Sequence, residues 1–452
     1  MSSTSVVDSF RKLRQVSGRD LLLVAGLFVW FFLIICSYYV VRPVRTALVL
    51  YDFGAENLPW IYMGTGLAAG VAAYIFSKFS KVKRIRLIGG VQLFFTSNLI
   101  FWWWAAGKSA ESIAGGFGGW SWTSPVFYVW TDVFSIMGVT IFWVYANDVL
   151  GHERAKTVFG VLTAAGMSGG AAGAWITKVF VEQLGPVDIV LVAAGVFGLT
   201  MVVFAGLEVL TRGSSSVRTT MASDHAAADL RRLPEVIRQV RANRLLWLIA
   251  LVVCFERVAP DMVDYVFQNT AVGFFPDKTS YASFFASFEM WRNIIVLAGT
   301  LIITPALLTY FGPGAAMITV PAAIVMFGAA MIAFPSLIAV VLLKGFEEGQ
   351  RHSWFKAGKE TLYTVTSREV LYTVKGYIEM FLYRFSRGIA GLLLLGMAGV
   401  MAALGRPESV TLLVLVVMIP MAIAWGWAVW QVDREYKTIV RGLDTGATTR
   451  RS

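Results

Sequence analysis

Apolar residues run along this chain in long blocks, broken by short polar, glycine- or proline-bearing stretches. A bilayer core of about 30 Å takes about 20 apolar residues of helix. Twelve blocks reach that length: 21–49, 57–80, 86–106, 124–148, 157–182, 186–208, 244–268, 282–309, 313–333, 335–356, 374–403 and 408–431. Gly185-Pro186 separates the fifth from the sixth, and Pro335 lies between the ninth and tenth. Gly312-Pro313-Gly314 makes a turn too tight for anything but a helical hairpin.

Six blocks precede residue 210 and six follow residue 243. Between them, Arg212-Gly213-Ser214-Ser215-Ser216 reads as flexible linker. Leu233, Val236, Ile237 and Val240 then recur at helical spacing with arginines opposite, which predicts an amphipathic helix on a membrane surface. The expected division is a basic N-terminus at 1–20, a six-helix bundle at 21–210, a linker at 211–243, a second bundle at 244–432 and a tail at 433–452. The expected fold is an all-α membrane protein, twelve transmembrane helices in two six-helix bundles. By analogy this resembles the major-facilitator architecture, whose first, fourth, seventh and tenth helices line the path.

Composition agrees: 57% of residues are hydrophobic and 15% charged, where soluble domains carry about 25% charge. Mean hydropathy is +0.66. The 39 Lys+Arg against 28 Asp+Glu leave a formal charge of +11. These cations gather at one set of block ends. Arg11, Lys12, Arg14, Arg19, Lys78, Lys81, Lys83, Arg84 and Arg86 are there. So are Arg154 and Lys156, seven arginines from Arg212 to Arg244, a loop at 351–368 and the tail from Arg434 to Arg451. The opposite ends carry little beyond Lys108, Lys278 and Arg406. That asymmetry predicts both termini in the cytoplasm and removes any need for a nucleic-acid partner. Trp102–Trp104 and the set Trp425, Trp427 and Trp430 read as interfacial belts. Residues 1–20 lack a signal-peptide core. Cys36 and Cys254 lie in apolar runs and read as buried hydrophobes.

Charge inside a spanning helix costs about 2.5–3.5 kcal/mol on insertion scales, so it faces a cavity or a partner. The first block holds Arg42 and Arg45, which share a helical face with Tyr38. They also suit arginines snorkelling at an interface. The seventh holds Glu256, Arg257, Pro260, Asp261 and Asp264 at a similar depth. An ion pair between these two blocks fits either a substrate gate or a permanent bridge. The fourth has Asp132, Asn147 and Asp148; the eighth Glu289 and Arg292, three apart; the tenth Lys344, Glu347 and Glu348; the eleventh Lys375, Glu379, Arg384 and Arg387.

Catalytic signatures are missing. Gly115–Gly119 lacks the Gly-Lys-Ser/Thr ending of a phosphate loop, and no His-Glu-x-x-His occurs. His152, His225 and His352 are too scattered for a metal site, so no metal or other cofactor is expected. The Ala165–Gly173 run is a small-residue stripe suited to close helix packing.

Several charged stretches then resemble a family. Tyr39-Val40-Val41-Arg42-Pro43-Val44-Arg45-Thr46, followed by Gly54-Ala55-Glu56-Asn57-Leu58-Pro59, looks like the first-helix signature of the ATP/ADP translocases of plastids and intracellular bacteria. Phe142-Trp143-Val144-Tyr145-Ala146-Asn147, Asp261-Met262-Val263-Asp264-Tyr265-Val266-Phe267 and Lys359-Glu360-Thr361-Leu362-Tyr363 are similar too, with Val374-Lys375-Gly376 beyond. The resemblance implies nucleotide exchange without hydrolysis. It puts the family's first-helix lysine on Arg45, its fourth-helix glutamate near Asp132, its seventh-helix glutamate on Asp264 and a later lysine on Lys375. Pro43 and Thr46 replace acidic neighbours, and Phe267-Gln268 replaces Trp-Lys, as in diverged relatives from free-living bacteria.

The expected function is alternating-access exchange of ATP and ADP, or of another phosphorylated anion, across a bacterial inner membrane. The expected protein is not an enzyme, is monomeric, and has a small anion and membrane lipids as partners. Arg42, Arg45, Asp132, Asn147, Asp261, Asp264 and Lys375 are the candidate substrate-binding residues. Two alternatives stay open. One is a proton-coupled carrier of a peptide, cell-wall fragment or drug, using Asp261, Asp264, Glu289 and Glu347. The other is a membrane-embedded lipid enzyme or scaffold.

Overall fold

A computed structural model of the chain describes residues 18–78, 82–112, 123–211, 233–366, 374–375, 377–378 and 382–448. The regular structure described is helical: α1 (Gly18–Asp52), α2 (Leu58–Lys78), α3 (Arg84–Ser112), α4 (Thr123–Thr211), α5 (Leu233–Ala242), α6 (Arg244–Val272) and α7 (Lys278–Ala298). Then come α8 (Thr304–Tyr310), α9 (Gly312–Ala333), α10 (Leu337–Gln350), α11 (Lys356–Leu362), α12 (Tyr383–Ala403) and α13 (Val410–Thr448). Wider π turns at Gly299–Ile303 and Arg351–Phe355 join α7 to α8 and α10 to α11.

The long α4 is not a straight rod. Arg84 reaches both Asp148, at 3.5 Å, and Glu208, at 3.2 Å. In an unbroken helix those two carboxylates would stand about 90 Å apart. The reversal falls at Gly185, whose φ of 82° suits a residue without Cβ, and Pro186 restarts the helix. This is the break expected between the fifth and sixth blocks. Gly312, with φ 81°, likewise makes the expected hairpin turn. Ser336 caps α10 by accepting from the Ala339 amide at 3.2 Å, just beyond Pro335. Asp277 caps α7: the Ser280 and Thr279 amides donate to it and hold its carboxyl below the usual range.

Among the described residues, eight stretches are long and apolar enough to cross a membrane. They are Asp20–Asp52, Arg84–Gly107, Thr123–Leu150, Val158–Thr211, Lys278–Tyr310, Gly312–Ala333, Phe385–Ala403 and Pro407–Gly442. The block at 244–268 is not among them, because Glu256, Arg257, Asp261 and Asp264 interrupt α6. The block at 335–356 yields an α10 of 14 residues that ends in a π turn.

Contacts divide the described residues into two compact units. One takes in Met1–Asn57, Leu67–His225 and Phe275–Leu297; the other takes in Leu58–Gly66, Ala226–Phe274 and Ala298–Ser452. The first unit therefore includes nearly all of α7, and the second the start of α2.

In the first unit α1 lies against α4. Gly169 and Gly173 present bare backbone to α1: a Cβ there would overlap the carbonyl oxygens of Phe32 and Cys36. The small-residue stripe thus permits the close approach for which it is suited. Buried hydroxyls then bond across it, Thr177 to the Val40 carbonyl at 2.8 Å and Ser37 to the Ala193 carbonyl at 2.9 Å. Trp30, Phe142, Tyr145 and Phe204 stack below them. In the second unit α13 packs on both α6 and α9, with Trp425 against Phe355.

Three expectations change. Trp425 is fully buried, while Trp427 and Trp430 are exposed, so the three are not one belt. The stretch at 351–368 is not a polar loop over its described part. It continues as helix, because its cations Arg351 and Lys359 are buried against carboxylates. The last helix runs on to Thr448 rather than ending near residue 431.

Candidate functional site

In the first unit, Pro43 interrupts the α1 ladder and the Thr46 hydroxyl donates back to the Arg42 carbonyl at 3.0 Å. Arg42 and Arg45 flank that point. Arg45 is 3% exposed. Its Nη1 lies 2.5 Å from Asp132 Oδ1 and donates to the Tyr128 carbonyl at 3.1 Å, while Nη2 donates to the Tyr38 hydroxyl at 3.3 Å. The guanidinium also sits 4.1 Å from the centre of the Tyr128 ring. Tyr128 and Asp132 are one helical turn apart on α4, so a single face supplies the carbonyl, the carboxylate and the ring.

Arg42 turns to α7. Its Nη1 and Nη2 lie 3.3 and 3.2 Å from the two oxygens of Glu289. Arg292 reaches the same carboxylate at 2.5 Å and donates to the Tyr39 hydroxyl at 2.6 Å. Two guanidiniums thus share one wholly buried carboxylate, with the Tyr39 ring centre 5.5 Å from each of them. Asn293, beside Gly170, donates to the Glu289 carbonyl at 2.8 Å and steadies this turn of α7.

The second unit has its own set. Lys344 on α10, 2% exposed, lies 2.8 Å from Asp264 and 3.2 Å from Glu348. The Tyr62 hydroxyl donates to Asp264 at 2.7 Å. Arg351 lies 2.5 Å from Glu347 and 3.7 Å from Glu348. Asp261 pairs with Arg257 one turn back at 3.1 Å, and Glu256 pairs with Lys359 at 2.6 Å. Pro260 lies among these acids on α6.

The structure brings together Arg42, Arg45 and Asp132 in one unit, and Asp261 and Asp264 on one helix of the other. It does not bring Asn147 to Arg45, because Asn147 is exposed and about 22 Å farther along α4 than Asp132. Lys375 pairs with Glu360 at 2.5 Å, with the Tyr363 ring 5.1 Å away. Its neighbour Glu379 lies outside the described residues. Within each unit these charges have local partners. Arg45 is held by Asp132, and Asp264 by Lys344 and Tyr62. Sequence reasoning named Glu289, Arg292 and Lys344 but left them out of the site. Their signal was charge at i, i+3 or i, i+4 spacing inside an apolar helix.

Among the described residues no cluster of His, Cys, Asp or Glu could hold a metal ion. The first unit also has a cavity of about 600 Å³, lined by Leu87, Phe94, Phe95, Trp130 and Met137, with Arg86 beside them. Its walls suit hydrocarbon and not an anion. The ionic clusters hold guanidinium and ammonium groups, the donors that make charge-assisted bonds to oxyanions.

Comparison with known proteins supplies the kinship. The family model described as TLC ATP/ADP transporter matches residues 112–436. ADP,ATP carrier protein 3 of Rickettsia felis is 20% identical over 355 residues, covering 70% of this chain and 70% of its own. ADP,ATP carrier protein 4 of Rickettsia bellii is 20% identical over 365 residues, covering 71% and 68%. Among solved structures, a bacterial homologue of the iron transporter ferroportin, inward-facing, superposes with TM-score 0.64 at 13% identity, over 91% of this chain and 98% of its own. The nucleoside transporter NupG does so with TM-score 0.61 at 12% identity, over 90% and 98%. These likenesses show the fold alone: the chain is folded as those two solved proteins are. The match over most of the chain establishes kinship: the protein belongs to the TLC ATP/ADP transporter family.

Proposed function

We propose that the protein exchanges nucleotides, ATP against ADP in the first instance, or another phosphorylated anion, by alternating access across a bacterial inner membrane. The observation that carries this reading is the set of arginines on α1 and α7, each held by an internal carboxylate. Guanidinium forks match phosphate oxygens, and Arg42, Arg45 and Arg292 are paired with Glu289 and Asp132. Without substrate, an unpaired cation in the membrane would make reorientation costly, which favours exchange over net flux. The Rickettsia relatives carry the name ADP,ATP carrier, and the family description is a transporter rather than an enzyme.

The reading includes twelve spans in two bundles, 21–210 and 244–432, with a linker at 211–243 and both termini in the cytoplasm. It includes a monomer. The exposed Arg238 on α5, paired with Glu235, and the basic linker support that orientation.

Proteoliposomes loaded with ADP test it. Labelled ATP enters when ADP is inside, and Arg45→Ala and Lys375→Ala abolish uptake at unchanged protein level. Normal uptake in both variants refutes the site assignment.

One observation favours a second reading, proton coupling. In the second unit Asp264, Glu347 and Glu348 gather around Lys344 and Arg351, three carboxylates with two cations. Uptake driven by a pH gradient without internal ADP selects that reading.

A further inference from the structure

The shared carboxylate on α7 is the feature that a purely structural account explains least well. Arg45 and Asp132 match one cation to one acid, and Glu348, also near two cations, has its second one, Arg351, at 3.7 Å. Glu289 is instead gripped by Arg292 at 2.5 Å and by Arg42 at 3.2 Å. We propose that Arg42 and Arg292 form the seat of a phosphate group of the transported anion, and that Glu289 is the internal anion which that phosphate displaces from them.

Four observations carry this. A guanidinium offers five N–H donors in a planar fork, and two forks converging on one point suit an oxyanion with three acceptor oxygens. The carboxylate offers two oxygens, so a phosphate uses the same donors more fully. The Tyr39 ring lies 5.5 Å from both guanidiniums, and its hydroxyl accepts from Arg292. This aims the forks when the seat is empty. The contacts are also graded in exposure. Side-chain exposure is 16% for Arg42, 4% for Arg292 and 0% for Glu289, so an anion reaches the pair from the Arg42 side. Finally, Arg45 follows Arg42 by one helical turn on α1, so a further guanidinium-bearing side chain starts from the same stretch of helix.

The proposal rests on the reading of the protein as a carrier of phosphorylated anions, and it adds Glu289 and Arg292 to that site. It also gives Glu289 a sign. A structural bridge suffers when either partner is neutralised. A competing anion, once neutralised, leaves the seat more open to ligand.

The test is equilibrium binding of pyrophosphate and of ATP to the purified full-length protein in detergent. The probes are applied to wild type, Glu289→Gln, Arg292→Gln and Arg292→Lys. Glu289→Gln is expected to bind both probes about tenfold more tightly, and Arg292→Gln about tenfold more weakly, with Arg292→Lys between it and wild type. Glu289→Gln should also leak substrate without counter-substrate. Equal weakening in Glu289→Gln and Arg292→Gln, or no change in either, overturns the seat. If Glu289→Gln does not fold, wild type decides: pyrophosphate should protect Arg42 from phenylglyoxal, and absence of protection overturns the seat. The two readings fail separately. Pyrophosphate binding with the variant pattern, but no ATP/ADP exchange, refutes the nucleotide and keeps the seat. Exchange intact with both variants binding as wild type refutes the seat and keeps the nucleotide.

Discussion

Replacing Lys359 by methionine removes one partner of a pair 2.6 Å apart whose side chains are only 5% and 7% exposed. The Glu256 carboxylate stays behind, out of water. Breaking a buried pair in this way costs about 3–5 kcal/mol, whereas an exposed pair is worth about 0–1 kcal/mol. Replacing both residues, Lys359→Met with Glu256→Leu, removes the desolvated charge altogether and should return stability to within about 1 kcal/mol of wild type. The cycle then shows a coupling larger than the roughly 0.5–3 kcal/mol of ordinary neighbours. Unfolding by SDS titration in mixed micelles, followed by tryptophan fluorescence, measures all four corners. A Lys359→Met variant losing less than about 1 kcal/mol would refute the reasoning, because the pair would then be behaving as though wet. A double variant as unstable as the singles would show that the shape of the pair, and not its charge, holds α6 to α11.

Gly173→Ala should destabilise the protein by about 1–3 kcal/mol, because its methyl overlaps the Cys36 backbone, which has nowhere to go. Gly195→Ala, with open space around it, should not, and the same micelle assay separates the two. Trp425→Ala should cost about 3–5 kcal/mol and Trp427→Ala little, because only the first is buried; equal losses would restore the belt reading. Asp277→Asn should lower the melting temperature at neutral pH but not in acid. The capping amides of Ser280 and Thr279 depress the native pKa of Asp277, so its contribution is present above the unfolded value near ~4 and lost as pH falls through the native one. A difference between wild type and Asp277→Asn that persists at about pH 2 would count against the cap.

The breaks in the helices were legible because they are local. Gly185-Pro186, Gly312 and Pro335 each act on the backbone at their own position, through φ freedom or a missing donor, and the structure adds the Ser336 cap. The small-residue stripe was equally legible, since Gly169 and Gly173 let the α1 backbone come so near. The loop reading of 351–368 failed for the opposite reason. Arg351 and Lys359 look solvated in sequence, but Glu347 and Glu348 meet the first in the fold and the distant Glu256 meets the second. Trp425 failed likewise: its place depends on Phe355, not on its distance from the helix end.

From the sequence alone come the helices, their breaks, the scarcity of charge, and hence which charged residues must have partners. Periodicity, hydropathy and the expense of desolvation are properties of short stretches of chain. The partners on other helices came only from the tertiary structure. Arg45 takes Asp132, Asp264 takes Lys344, and Glu289 is shared by Arg42 and Arg292. A Coulombic contact is decided over a few ångströms, between side chains that packing brings together from helices far apart in the chain, and no spacing along one helix encodes that distance.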